Sequence, residues 1–524
     1  MEALHIASKD GSNVKVSGND AGSPKIFDEG VSNVPAKYRG TDADKRDMTN
    51  LGKKQVLRVS IRSQGKRDKA NVVAAELQLH NHARICLHLR GQLGRYLYFP
   101  LIDGGTPLYF WGFLGCVLCQ TLVYASLSEM ASMSPTAGGQ YHWVSEFAPP
   151  RYQKVLSYYS GWLTAIGWQV YLASVCYLVG TLIQGMIVLN NPDYVFERWH
   201  GTLLTIAIVL FTITFNTALA NRLPIIEGMI LILHILGFFA VIIPLWVMAP
   251  RRSTDDALFN FVNAGGWSST GLSAMIGLLA PMSVLVGYDC AVHMGEEIKD
   301  ASITLPRAIM GSLVVNSTLS LIVIVTICYC LGDAETVAAS ATGYPFIEMI
   351  FQGTRSTGGT TVMVAIVTIM LAACGVTEVA AASRQIWLLP VIKDCPATVG
   401  SAALVNLGSA VALNAITSLG AVAVLLSYFL TIGTLIHRRL RGPPLPPRRW
   451  SLGKFGLAIN IGALACLAPI IFFLTWPLAT PVTPAYMNWS TTMLGGTLLI
   501  ATIYYFAKAR KEYVGPSVFI KREM

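Results

Sequence analysis

A chain of 524 residues that is 53% hydrophobic and 13% charged is too apolar for an ordinary soluble protein of mixed domains, so most of it must be solvated by lipid. Its formal net charge of +10 would suggest nucleic acid in a soluble chain. Here the positive charge gathers in 51–100 and in connecting loops, where anionic lipid headgroups are the natural partner and no nucleic acid is implied.

In chain order, the first 50 residues are polar and rich in Gly, Ser and Asp, with no apolar core of the kind a signal peptide carries. They read as a disordered cytosolic tail, with 1–58 as one unit. The stretch 59–104 is basic and has no clean apolar run. Apolar runs follow at 107–128, 156–189, 201–220, 223–248, 271–288, 308–331, 360–387, 411–436, 455–476 and 490–507, each near the length a helix needs to cross a bilayer. They predict an all-α, polytopic membrane domain over 105–510, followed by a cytosolic tail at 511–524. Most of the cysteines, including Cys116, Cys119, Cys176, Cys328, Cys330, Cys374 and Cys466, lie inside these runs and pack as small hydrophobes. Cys116 and Cys119 form a CxxC without the second ligand pair of a structural zinc site, so neither metal nor cofactor is expected.

Loop charges set the orientation. His437, Arg438, Arg439, Arg441, Arg448, Arg449 and Lys454 place 437–454 in the cytoplasm, as Lys508, Arg510 and Lys511 do for the C-terminal end. Parity then fails twice. The chain reaches 384–397 on the inside and must be inside again at 437, which leaves 398–436 short of the roughly 40 residues that two crossings need. A cytosolic N-terminus also requires a crossing between 58 and 104, where Arg58, Arg62, Lys66, Arg67, Lys69, Arg84, Arg90 and Arg95 would each cost about 2.5–3.5 kcal/mol at a helix centre.

The fifth run, GLSAMIGLLAPMSVLV, meets GYDCAVHMGEE before it has crossed a bilayer, which places Asp289 near membrane depth. Such a carboxylate lines a polar path by default rather than facing lipid. Gly287 before Tyr288 and Asp289 lets the backbone leave helical geometry, as in the discontinuous helices of transporters. Glu378 is a second acid within a span, either facing the central cavity or sitting near Arg384 at the cytoplasmic boundary. Trp168 and Tyr171, beside Gln169, could hold an ammonium group by cation–π contact or simply pack between helices. His234 and Asn316 read as helix–helix hydrogen bonds. His293, Glu296 and Glu297 read as a solvated cytoplasmic end ahead of Pro306, and PTAGG at 135–139 as a cytoplasmic re-entry turn.

These residues resemble a known family. DMTNLGKKQVLR (47–58), SEMASMSPTAGGQYHWVSEFAPP (128–150), GYDCAVHMGEEIKDASITLPRAI (287–309), CGVTEVAAASRQIW (374–387), RLRGPPLPPRRWSLGKFG (439–456) and PVTPAYMNWS (481–490) are similar to the fungal amino-acid/choline permeases of the amino acid-polyamine-organocation superfamily. The resemblance implies a LeuT-like inverted-repeat fold whose family norm is twelve helices, about ten of them clear here. It is lost twice, where parity fails. VSIRSQGKRDKANVVAAELQLHNHARICLHLRGQLGRYLYF (59–99) stands where the family has its first, broken helix, and LLPVIKDCPATVGSAA (388–403) where it has a loop and a ninth helix.

The family reading implies a permease in the plasma membrane or an organellar membrane that imports an amino acid or a related amine such as choline or gamma-aminobutyrate by alternating access. Proton coupling comes from the resemblance, with Asp289 the carrier, because burial favours a neutral carboxyl whenever the cavity is closed. Gly287, Tyr288, Asp289, Glu378, Trp168 and Tyr171 are the candidate binding or coupling residues, and protons and membrane lipids the expected partners besides the substrate. No nucleophile triad, P-loop or dinucleotide fingerprint accompanies them, so no enzyme is implied. The alternative is a sensor-like or nonfunctional membrane protein that keeps the scaffold without its first broken helix, since an inverted-repeat site is built by both halves.

Overall fold

The structure, a computed structural model, describes residues 98–388 and 410–516 except Phe196, Ala220, Asn221, Lys299, Ala334, Glu335, Ala338, Ala485 and Val514. All of them fall in one compact unit, Gly40–Met524. The expectations for 1–97 and for 389–409 lie outside the described residues.

A backbone in hydrocarbon must satisfy its own hydrogen bonds, which for these apolar runs means helices. The long elements are α1 (Gly105–Met133), α2 (Gly139–Phe147), α3 (Gln153–Asn190), α4 (Arg198–Thr217), α5 (Leu223–Met248), α6 (Thr270–Gly277) and α7 (Leu279–Ser283). A 3-10 helix (Tyr288–Glu297) follows, then α8 (Ala301–Cys330), α9 (Pro345–Thr354), α10 (Thr357–Leu388), α11 (Ala410–Arg441), α12 (Gly456–Phe473) and α13 (Ser490–Tyr504). Among the described residues, ten helical segments are long and apolar enough to cross a membrane. They match the ten runs in the sequence, with most ends extended by polar turns that the apolar reading could not see.

Burial sorts these helices. Of the most apolar stretch of α11, 72% is buried, against 17% in α4 and in α13; α11 is therefore central, and the outer helices present Leu210, Phe239, Leu499 and Ile503 to lipid. The core joins α1, α3, α8, α10 and α11 through Phe113, Val123, Val175, Ile324, Leu371 and Leu425. Asn316 is buried, but neither side-chain atom has a hydrogen-bond partner among the described residues, so these residues do not make the helix–helix bond expected of it.

Both α10 and α11 finish on the same face. Gln385 of α10 reaches the ring of His293, which also contacts the carbonyl of Ala137 in the re-entry turn, and Arg438 of α11 donates to the carbonyl of Glu146 at the end of α2, at 2.8 Å. α11 is a full 32 residues long.

Candidate functional site

The fifth span breaks where the sequence predicts. Gly287 has φ 110, a left-handed geometry that glycine adopts without strain, and the 3-10 helix starts at the next residue. Such a break frees backbone groups that cannot be left bare in a dry interior. One side chain takes them up: the hydroxyl of Tyr124, on α1, accepts the N–H groups of Gly287 at 3.0 Å and Tyr288 at 3.3 Å and donates to the carbonyl of Leu285 at 3.1 Å. The Tyr124 ring packs edge-on against Tyr288, with centroids 4.9 Å apart. A protein hydroxyl thus fills the break.

Asp289 is fully buried and its carboxylate is held from three sides. Gln140 of α2 donates Nε2–H to Oδ2 at 2.5 Å, and the Tyr428 hydroxyl of α11 donates to Oδ1 at 2.5 Å. His293, one turn further on, places Nε2 3.6 Å from Oδ2. His293 is fully buried as well, which corrects its reading as part of a solvated end: its Nδ1 lies 3.1 Å from the Ala137 carbonyl, and the Gln385 amide lies against the ring, 3.0 Å from Nε2. The re-entry turn comes this close because Gly139 has φ 52 and no side chain; a Cβ there would lie 3.0 Å from His293 Cε1. The side chains of Glu296 and Glu297 lie outside the description.

Trp168 of α3 joins the same cluster, its ring edge-on to His293 with centroids 5.9 Å apart, and it packs on Cys290, Ala381 and Ala382. Tyr171 sits beside it, centroids 6.4 Å apart, also buried. Glu378 is buried in α10 and its Oε1 accepts from Cys374 Sγ at 3.7 Å, which favours the interior over the solvated boundary. It lies two helical turns, about 10 Å, before Gln385 along α10. The structure thus brings Gly287, Tyr288, Asp289, Trp168 and Tyr171 around one break and sets Glu378 further along the core.

Sequence reasoning missed Tyr124, Gln140, Gln385 and Tyr428. Gln140 directly follows the PTAGG turn and His293 stands four residues after Asp289, so both carried a local signal. Tyr428 and Tyr124 are 139 and 165 positions from Asp289, and no local pattern pairs them with it.

The family profile described as amino acid permease matches residues 97–390, more than half of the chain and the whole of the broken span. The chain belongs to the amino acid permease family. It is 26% identical to a choline transporter of Saccharomyces cerevisiae over 78% of this chain and 77% of that protein. It is 25% identical to the amino-acid permease BAT1 of Arabidopsis thaliana over 79% and 87%, and 31% identical to the swainsonine transporter swnT of Arthroderma benhamiae over 44% and 46%. As a permease it is an integral, multi-pass membrane transporter for amino acids or amines and not an enzyme.

Proposed function

We propose that this permease is a proton-coupled importer of an amino acid or a related amine, in the plasma membrane, that works by alternating access around the break at Gly287. The observation that carries this reading is the fully buried carboxylate of Asp289, bonded to Gln140 and Tyr428 at the break. A charged aspartate at a helix centre costs about 2.5–3.5 kcal/mol on insertion scales, and acids retained at such depth mark substrate or proton paths. Its partners come from α2, α11 and the 3-10 helix, so a change in its charge alters bonds between elements that alternating access has to separate. Trp168 and Tyr171 would receive the amine, and Glu378 would have a secondary electrostatic role. The permease domain is 105–510, with 1–58 and 511–524 as cytosolic tails and 59–104 as a divergent segment in place of the first family helix.

The test is uptake into vesicles with and without a pH gradient. Asp289→Asn keeps size and hydrogen-bonding capacity but removes the titratable charge. We expect the mutant to lose gradient-driven uptake while exchange at equal pH survives, with a smaller effect for Glu378→Gln. Wild-type, gradient-driven uptake in the Asp289 mutant would assign the carboxylate to packing. A wild-type chain that moves no amino acid or amine would favour a non-transporting scaffold.

A further inference from the structure

We infer that Ser451 is a cytoplasmic phosphorylation site for a basophilic serine/threonine kinase, and that its phosphate unlatches the 437–454 loop from α1. The site is separate from the break at Gly287 and independent of which substrate the permease carries.

The sequence supplies what a kinase reads. In Arg448, Arg449, Trp450, Ser451 and Leu452, two guanidinium groups stand three and two residues ahead of a hydroxyl, and an apolar residue follows it. A kinase whose peptide groove is lined by acids recognises that pattern by charge and by the planar fork of each arginine. Such a groove takes an extended peptide. The chain is irregular between α11 and the 3-10 turn at Gly453, and Pro443, Pro444, Pro446 and Pro447 keep helix out of the approach to the arginines. Ser451 is exposed among the described residues, and the basic loop around it marks the face where ATP is available. The same spacing recurs at Arg251, Arg252 and Thr254, but that motif follows α5 on the outer face, away from ATP.

The structure supplies the consequence. The Ser451 hydroxyl accepts Arg448 Nε–H at 3.2 Å and the Gly453 N–H at 3.1 Å, and it lies 3.4 Å from Glu129 Oε1. Glu129 is fully buried at the end of α1, with Arg439 and Arg448 as its counter-ions. The Leu452 N–H reaches the same carboxylate oxygen at 3.3 Å. Phosphorylation forms a bond from Ser451 Oγ to the γ-phosphorus of ATP, breaks that phosphorus's bond to the leaving ADP, and passes the hydroxyl proton to the kinase's catalytic aspartate. The product sets a phosphate carrying nearly two negative charges against a buried carboxylate. It repels Glu129 and draws Arg448 away by stronger charge-assisted bonds. Glu129 then stays buried with a counter-ion lost, an arrangement a dry site resists, and the loop parts from α1.

The test uses the full-length permease in sealed inside-out vesicles, with ATP and the catalytic subunit of cyclic-AMP-dependent protein kinase. Phosphopeptide mass spectrometry should find Ser451 occupied and Thr254 empty, with no label at that position in Ser451→Ala. Arg449→Gln, which removes the more exposed arginine, should slow labelling by about tenfold or more. After solubilisation, the phosphorylated wild type should melt below the untreated protein, and kinase treatment should leave Ser451→Ala unmoved. In Glu129→Gln, which has no carboxylate to strand, the phosphate should lower the melting temperature much less than in the wild type. Absence of phosphate at Ser451, or labelling at the wild-type rate in Arg449→Gln, overturns the site. A phosphorylated wild type that melts at or above the untreated protein, or an equal shift in Glu129→Gln, overturns the unlatching.

Discussion

Arg448 donates Nε–H to the Oε1 of Glu129 at 2.9 Å, across 319 positions of sequence. Glu129 is fully buried at the end of α1 and is also bonded by Arg439 and by the Leu452 amide at 3.3 Å. One helical turn on, the Ser132 hydroxyl accepts the N–H groups of Arg449 and Trp450, and Arg449 reaches Asp300, ahead of α8, at 3.1 Å. The basic loop 437–454, whose charge marks the cytoplasmic side, thus straps the ends of α1 and α2 to the start of α8. Its arginines are spent on specific carboxylates and carbonyls as well as on topology.

Glu129→Gln removes the charge that faces two arginines and leaves them partly buried without a counter-ion. Breaking a buried pair in this way costs about 3–5 kcal/mol. Thermal unfolding of the solubilised mutant should be clearly lower than wild type, and Arg448→Gln, which leaves Arg439 in place, should fall less. Equal melting temperatures for Glu129→Gln and wild type would show that the strap contributes nothing to stability.

Tyr428→Phe deletes the hydroxyl that donates to Asp289 Oδ1 and otherwise preserves the packing of α11. A hydrogen bond to a charged group contributes about 1.5–3 kcal/mol. We expect a loss of that order in chemical or thermal unfolding, whereas Ser427→Ala, whose hydroxyl bonds the Val424 carbonyl of its own helix, should change stability by less than about 1 kcal/mol. A Tyr428 mutant as stable as the Ser427 mutant would contradict the bond.

Asp103, just ahead of α1, predicts a pH dependence. Burial pushes its carboxyl up from 3.8 to about 6, partly offset by the Ser273 hydroxyl, which donates to Oδ1 at 2.9 Å. A raised carboxyl binds its proton more tightly in the folded state than in the unfolded one. Its contribution is therefore most favourable when protonated, declines as pH rises from 3.8 toward 6, and stays low above that. Melting temperature measured across this window should fall with pH in the wild type and flatten in Asp103→Asn. Parallel curves for the two proteins would exclude Asp103 as the source.

Orientation follows from the same loop charges. A cysteine replacing Arg441 should react with a membrane-impermeant reagent only after permeabilisation, and one replacing Thr483 should react in intact cells; the opposite pattern reverses the topology. A glycosylation reporter fused after residue 104 addresses the preceding segment. Efficient modification in microsomes would mean that 59–104 crosses the membrane despite its charges, and the expected result is that it does not.

The sequence by itself determined the ten spans, the break at Gly287, the burial of Asp289 and the family. Hydropathy period, glycine and an isolated acid are local signals, and a bilayer permits few ways of satisfying them. It also marked the two places where the number of crossings fails, because parity needs only lengths and charges. What closes the break was decided by the tertiary structure. Tyr124 and Tyr428 look like ordinary aromatics of apolar helices until α1 and α11 pack on either side of the 3-10 helix, and only then do their hydroxyls meet the Gly287 amide and the Asp289 carboxylate. His293 was misread for the same reason. A histidine among charges suggests solvent, yet the re-entry turn folds back over it through the side-chain-free Gly139 and seals it against Ala137 and Gln385. Polar partners so far apart in the chain leave no periodic trace in a sequence, and their pairing is set by which helix faces the packed bundle brings together.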